Sequence, residues 1–357
     1  MTDVALASAG DELPPGWNPH LNAGYALIKV IDLPDRPLVK FDISWVDPAS
    51  RRLYFADRSN ARVAVVDCDN LEYLKAIGEG DFTGATANSK LAGPNGVMVI
   101  AARAELWVGD GDSTTKVYDT ASGALRRSIS TGGTLRCDEL AFDEVNQVVL
   151  VANDAEPVPF VTLISSDGSP LARIDFPRAS NGLHQPVWDP LSGLFYISVS
   201  ELDGDPARGE VAIIDAASRA VVDSIEIDRC QPAGMVMGPD HQLCVACGKD
   251  AVDKGFPPST IVVDLESRRQ HRFEEVGGSD QVWYNPGDGR YFLAARGMTG
   301  GAVLGVIDAA SLSWVANLPT SPDSHSVAAD EVRNLIFVPL SPTVDRPQGG
   351  LAVFGIR

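Results

Sequence analysis

The feature that most limits how this chain can fold is a phrase that returns seven times. "FDISWVDPASRRLYFAD" (41–57), "CDELAFDEVNQVVLVAND" (137–154), "LHQPVWDPLSGLFYISVS" (183–200), "SDQVWYNPGDGRYFLAARG" (279–297) and "SHSVAADEVRNLIFVPL" (324–340) share one grammar. Each runs from a polar residue through a short apolar strand and an Asp/Asn turn into a second apolar strand. Two looser copies are "PNGVMVIAARAELWVGD" (94–110) and "PAGMVMGPDHQLCVACG" (232–248). Most copies pass into a third strand that ends on an aspartate: Asp67, Asp119, Asp215, Asp264 or Asp308. A fourth strand then leads to the next copy.

Aligned on the turn, the copies are anchored at residues 42, 95, 138, 184, 233, 280 and 325, separated by 43 to 53 residues. Four short strands per unit of about 40–50 residues is the pattern of propeller blades. The expectation is an all-β, seven-bladed β-propeller. The last copy has one strand too few, "GLAVFGI" (350–356), and the N-terminal "YALIKVIDL" (25–33) is placed to pair beside it. That pairing closes the ring and removes an open sheet edge. The chain then divides into an N-terminal extension, 1–24, and one propeller domain, 25–357.

Composition agrees and narrows the partners. The 33 Gly and 24 Pro of 357 residues demand many turns and few long helices. A formal net charge of -19 repels nucleic acid and anionic membranes, so neither is an expected partner. No apolar run of about 18 residues is present, which argues against a spanning helix. The first residues lack the basic and apolar regions of a signal peptide. Five cysteines are sparse and odd in number, so reduced thiols and a cytoplasmic location are expected. Cys244 and Cys247 form a C-x-x-C, but strand alternation sends them to opposite faces, so they read as core and not as a zinc site.

In a propeller the innermost strands line a central channel, so the seven anchors form a ring at one mouth: Asp42, Asn95, Asp138, His184, Ala233, Asp280 and His325. Two of only five histidines fall in it. Polar residues at strand starts often serve the entering loop, and any single anchor is accounted for that way. As a set, three converging carboxylates repel one another unless a cation compensates. A divalent metal ion is the simplest compensation, with Asp42, Asn95, Asp138, His184, Asp280 and His325 as its candidate ligands. The loops after the second strands open on the same face, and they offer Arg58 and Arg296, with Lys249, for substrate binding. Trp45, Trp188 and Trp283 recur at like positions and read as packing between blades.

"LYFADRSNARVAVVD", "GPNGVMV" and "SHSVAAD" resemble the blade phrases of YVTN/NHL-type seven-bladed propellers, over nearly all of residues 25–356. The chain is distantly similar to streptogramin lyases and to SMP-30-like lactonases. Asn95 in "GPNGV" matches the lactonase asparagine phrase. Asp42 stands where those enzymes carry a glutamate, without the Gly-Pro that follows it there. The resemblance implies metal-assisted chemistry on a small molecule. The leading expectation is a lyase acting on a small oxygenated organic substrate, aromatic ones included, with His184 or His325 moving the proton. A metal-dependent lactonase and a non-catalytic, protein-binding propeller are the alternatives.

Overall fold

The computed structural model describes residues 23–356. The expected N-terminal extension and the absence of a signal peptide therefore concern residues outside the described part, apart from Ala23 and Gly24. Seven four-stranded antiparallel sheets follow one another around a ring. Their innermost strands begin at Ser44, Val97, Leu140, Leu183, Pro232, Ser279 and Ala328 in blades one to seven. Blade seven takes Tyr25–Ile31 as its outermost strand, hydrogen-bonded antiparallel to Gly350–Ile356. The ring is closed by joining the two ends of the chain. Among the described residues no helix is long and apolar enough to cross a membrane.

The recurrent aspartates have a local cause. Asp47 accepts from the backbone N–H groups of Ala49 and Ser50, and Asp143 from those of Val145 and Asn146. Asp189 does the same for Leu191 and Ser192. The aspartates that close the third strands cap the next turn alike: Asp67 takes Asp69 and Asn70, and Asp264 takes Glu266 and Ser267. An Asx turn satisfies two backbone donors that no sheet partner reaches. Much of the acidity is turn chemistry.

The core lies between blades rather than in one central mass. Leu150 and Leu163 of blade three meet Phe195 and Ile197 of blade four. Phe41, Leu53 and Phe55 of blade one meet Phe337 and Val353 of blade seven. The recurrent tryptophans take part in this packing, as expected. Trp45 and Trp283 also touch edge-on, ring centres 5.6 Å apart, although they belong to blades one and six. They reach each other past blade seven, whose innermost strand carries only Ala328 and Ala329 before its turn aspartate.

One expectation is overturned here. The cysteines are not five free thiols: Cys230 and Cys247 form a disulfide, with Cα atoms 4.4 Å apart. Cys230 lies in the loop entering blade five and Cys247 ends that blade's second strand, and Gly248 N–H donates to Cys230 C=O at 3.1 Å. Strand pairing creates this neighbourhood, and sequence spacing does not reveal it. The cytoplasmic expectation loses the support it drew from five thiols. Cys244 does face the other way, packing toward blade six, while Cys247 faces blade four.

Candidate functional site

Each anchor stands at the mouth end of an innermost strand, held by its own backbone. The N–H groups of Asp42, Asn95 and Asp138 donate to the carbonyls of Ala56, Gly109 and Ala152 on the neighbouring strand, at 2.7–2.9 Å. The next position varies from blade to blade. In blades two and five it is Gly96 and Gly234, and a Cβ there would lie 2.4 Å from Asp138 O and 1.9 Å from Asp280 O. Glycine lets the following blade's anchor segment press close.

Six of the seven anchors line one cavity of about 300 Å³: Asp42, Asp138, His184, Ala233, Asp280 and His325. Asn95 does not. It is fully buried one layer back, accepting from Arg58 Nε at 3.0 Å and donating to Cys137 O at 2.7 Å. Below the anchors the buried Gln281 side chain joins three blades. It donates to Ser44 O at 2.7 Å and accepts from Ser44 N, Ser326 Oγ and Val327 N. These bonds tie the innermost strands of blades one, six and seven together, and the cavity that the anchors line is a cup at the mouth.

The three anchor carboxylates are each paired with a guanidinium. Arg58 donates to Asp42, and also to Asn95 and Pro94 O. Arg296 Nη2 donates to Asp280 at 2.8 Å. Both arginines stand 16 residues after their aspartate, at the end of the second strand. Blade three breaks the pattern by placing Asp154 there, and Arg136 bridges Asp138 at 3.1 Å and Asp154 at 2.6 Å.

These pairings set the protonation states. Burial pushes Asp42 up, but Arg58 and His325 outweigh it and hold the carboxyl well below the usual range. Asp280 is likewise held down against its burial by Arg296 and the two histidines. Asp138 goes the other way, to about 8, because burial together with Asp154 and Asp42 outweighs Arg136. Glu139, beside it in the cavity, is pushed well up by burial and by the surrounding carboxylates. A carboxyl so raised holds its proton at neutral pH and acts as a donor.

The two histidines differ. His325 Nδ1 lies 2.6 Å from Asp323 O, and a carbonyl can only accept, so the proton sits on Nδ1. Its ring stacks on Phe41 at 4.7 Å, and Nε2 faces Asp42 Oδ1 at 3.7 Å. His184 is half-buried on the cavity wall and, among the described residues, makes no hydrogen bond, ion pair or ring stack. The residue corresponding to Arg58 in its blade is Ser200, whose hydroxyl is committed to Pro232 O at 2.8 Å. The next anchor is Ala233.

Of the other loop residues, Lys249 reaches the rim, and its ammonium pairs with Asp253 at 2.6 Å. Arg136 and Glu139 were not picked out by the sequence reading. The signal for Glu139 was present: it puts an acid where the other blades have Ile43, Gly96, Gln185, Gly234, Gln281 and Ser326.

A divalent ion does not fit this donor set. The charge compensation that crowded carboxylates require is supplied by Arg58, Arg136 and Arg296, and cations so placed oppose another. Among the described residues no group of three or more His, Cys, Asp or Glu side chains is arranged to hold a metal ion.

No family profile matches this sequence. No curated protein matches it either. Among solved structures it is similar to a chain of the hydrazine synthase of Kuenenia stuttgartiensis, with a TM-score of 0.70 and 14% identity, covering 91% of this chain and 97% of that one. At that identity the likeness establishes the propeller fold alone.

Proposed function

We propose that the cup is the active site of a lyase acting on a small oxygenated organic molecule. The reading places the chain with catalytic relatives of the YVTN/NHL-type propellers, and the supporting phrases are "GPNGVMV" and "SHSVAAD". The observation that carries it is an unpaired imidazole, His184, sharing a cavity with a carboxyl that keeps its proton to about pH 8, Asp138. An elimination needs such a pair. His184 takes a proton from carbon, the C–H electrons form the double bond, and the C–O bond breaks. The departing oxygen receives the proton of Asp138, and proton exchange with solvent returns both groups to their starting states. His325 is the orienting member, fixed by Asp323 and Phe41 and aimed at Asp42.

The test is His184→Ala, scored for turnover and for melting temperature together. Activity is sought on hydroxylated small molecules by the ultraviolet absorbance of the new double bond. Turnover is expected to fall about 100-fold, the range for a positioned acid or base, with the melting temperature unchanged. Stability lost while turnover is kept would make His184 a structural residue. A wild-type cup that binds these molecules and never transforms them would favour the non-catalytic propeller.

A further inference from the structure

The cup holds unsatisfied groups of two kinds, and together they describe a ligand. A guanidinium has five N–H donors. Arg58 and Arg136 spend theirs on three carboxylates, an amide and a carbonyl. Arg296 makes only the Asp280 bond among the described residues, and its Nε is buried without a partner. It is also the most open of the three, its side chain 31% exposed against 12% and 19%. Next to Asp280, the buried Ser279 hydroxyl lines the cavity and has no partner either.

The second kind is Glu139. It is 6% exposed, lines the cavity and, among the described residues, its carboxyl makes no hydrogen bond or ion pair. A buried carboxyl without a partner costs free energy, and a protonated one lowers that cost by donating to an oxygen.

Ion pairing points the same way. Of the cationic side chains in the lining, Arg58 is committed to Asp42, Arg136 to Asp138 and Asp154, and Lys249 to Asp253, which leaves Arg296 as the guanidinium with donors to spare. About 300 Å³ corresponds to roughly ten water volumes, hence to a ligand on the order of ten non-hydrogen atoms.

We propose that the cup binds a small carboxylate bearing a second oxygen, with the carboxylate on Arg296 and the second oxygen accepting from Glu139. The proposal rests on the cup being a ligand site, as above, and adds the ligand's chemistry. The planar fork of one under-used guanidinium matches a carboxylate. A phosphate dianion would bring twice the charge against Asp280 and Asp42, which stay ionised.

Thermal shift and calorimetry at pH 6.5 decide it, with 4-hydroxybenzoate and 3-hydroxybutyrate as probes, and 4-hydroxybenzamide and inorganic phosphate as controls. The hydroxy acids are expected to raise the melting temperature in a concentration-dependent way. The amide and phosphate should bind at least tenfold more weakly. Arg296→Met should weaken the acids tenfold or more and leave the amide unchanged. Arg296→Lys, which keeps a charge opposite Asp280, serves if the methionine variant does not fold, and should lose part of the affinity. Glu139→Gln keeps a donor and should bind nearly as well as wild type, whereas Glu139→Leu should lose about tenfold. Equal binding of acid and amide, tighter binding of phosphate, or indifference to Arg296 would each overturn the proposal. Carboxylate binding without turnover would sink the lyase reading and leave this one standing. Turnover of neutral substrates alone would do the reverse.

Discussion

The cup has a tied corner and a loose arc. Where blades seven, one and two meet, every polar anchor is held: His325 by Asp323 and Phe41, Asp42 by Arg58, and Asn95 by Arg58 and Cys137 O. Across blades four to six the corresponding places hold His184 without a partner, Ala233, and Asp280 with a half-used arginine. All occupy equivalent positions in the repeat. The difference lies in what the anchor's own blade offers: Arg58 after blade one's second strand, a committed Ser200 after blade four's. Rigidity on one side and unsatisfied groups on the other is how a site fixes some groups and leaves others for a ligand.

The comparison breaks most sharply at Arg58. Arg58→Met strands a buried carboxylate and a buried amide together, and the expected cost is about 3 kcal/mol, read as a lower urea midpoint. A variant as stable as wild type would mean that the corner is not tied.

Acidity probes the boundary between the two sides, at Asp138 and Glu139. The folded state raises Asp138 from 3.8 to about 8, so its stabilisation is complete below the unfolded value and is lost as pH rises through about 8. Between those limits the native state holds a proton that the unfolded chain has released. Stability should therefore fall with rising pH, by at most about 1.4 kcal/mol per pH unit for each such group. Asp42 and Asp280 act in the opposite sense, because their depressed carboxyls lose stabilisation only in strong acid. Asp138→Asn should flatten the slope in part, and the double variant with Glu139→Gln should remove it. A wild-type melting temperature level from pH 5 to 8 would contradict these protonation states.

The histidines give the smallest effects and the cleanest contrast. His325→Ala loses a ring stack and a hydrogen bond, about 1–2 kcal/mol. His184→Ala loses no hydrogen bond or ion pair, only the electrostatic influence of the ring on Asp280, and should cost under about 0.5 kcal/mol. Equal losses would erase the distinction between corner and arc.

The repeat was legible because its signals are local. Asp47, Asp143 and Asp189 cap N–H groups two and three residues away, so turn and spacing are written in adjacent letters. Strand alternation likewise put Cys244 and Cys247 on opposite faces. From seven turns came seven blades, and the unpaired last strand required Tyr25–Ile31 to close them. The anchor ring follows from the same period, and six of its seven members do face one cavity.

What the period could not supply is the partner of each anchor. Arg136 reaches Asp138 and Asp154 from the loop entering blade three, Gln281 bonds Ser44 from blade six, and Cys230 finds Cys247 across a strand pair. Crowded carboxylates in a sequence call for positive charge without saying whether a metal or an arginine brings it. That choice is made by side chains distant in the chain and adjacent only after the ring closes. The sequence by itself determined the blades and brought six of the seven anchors to one cavity, since both follow from hydrogen bonds and alternation over a few residues. Only the tertiary structure decided which of those residues are neutralised, which keep their protons and which remain unpaired, because those depend on burial and on contacts between blades.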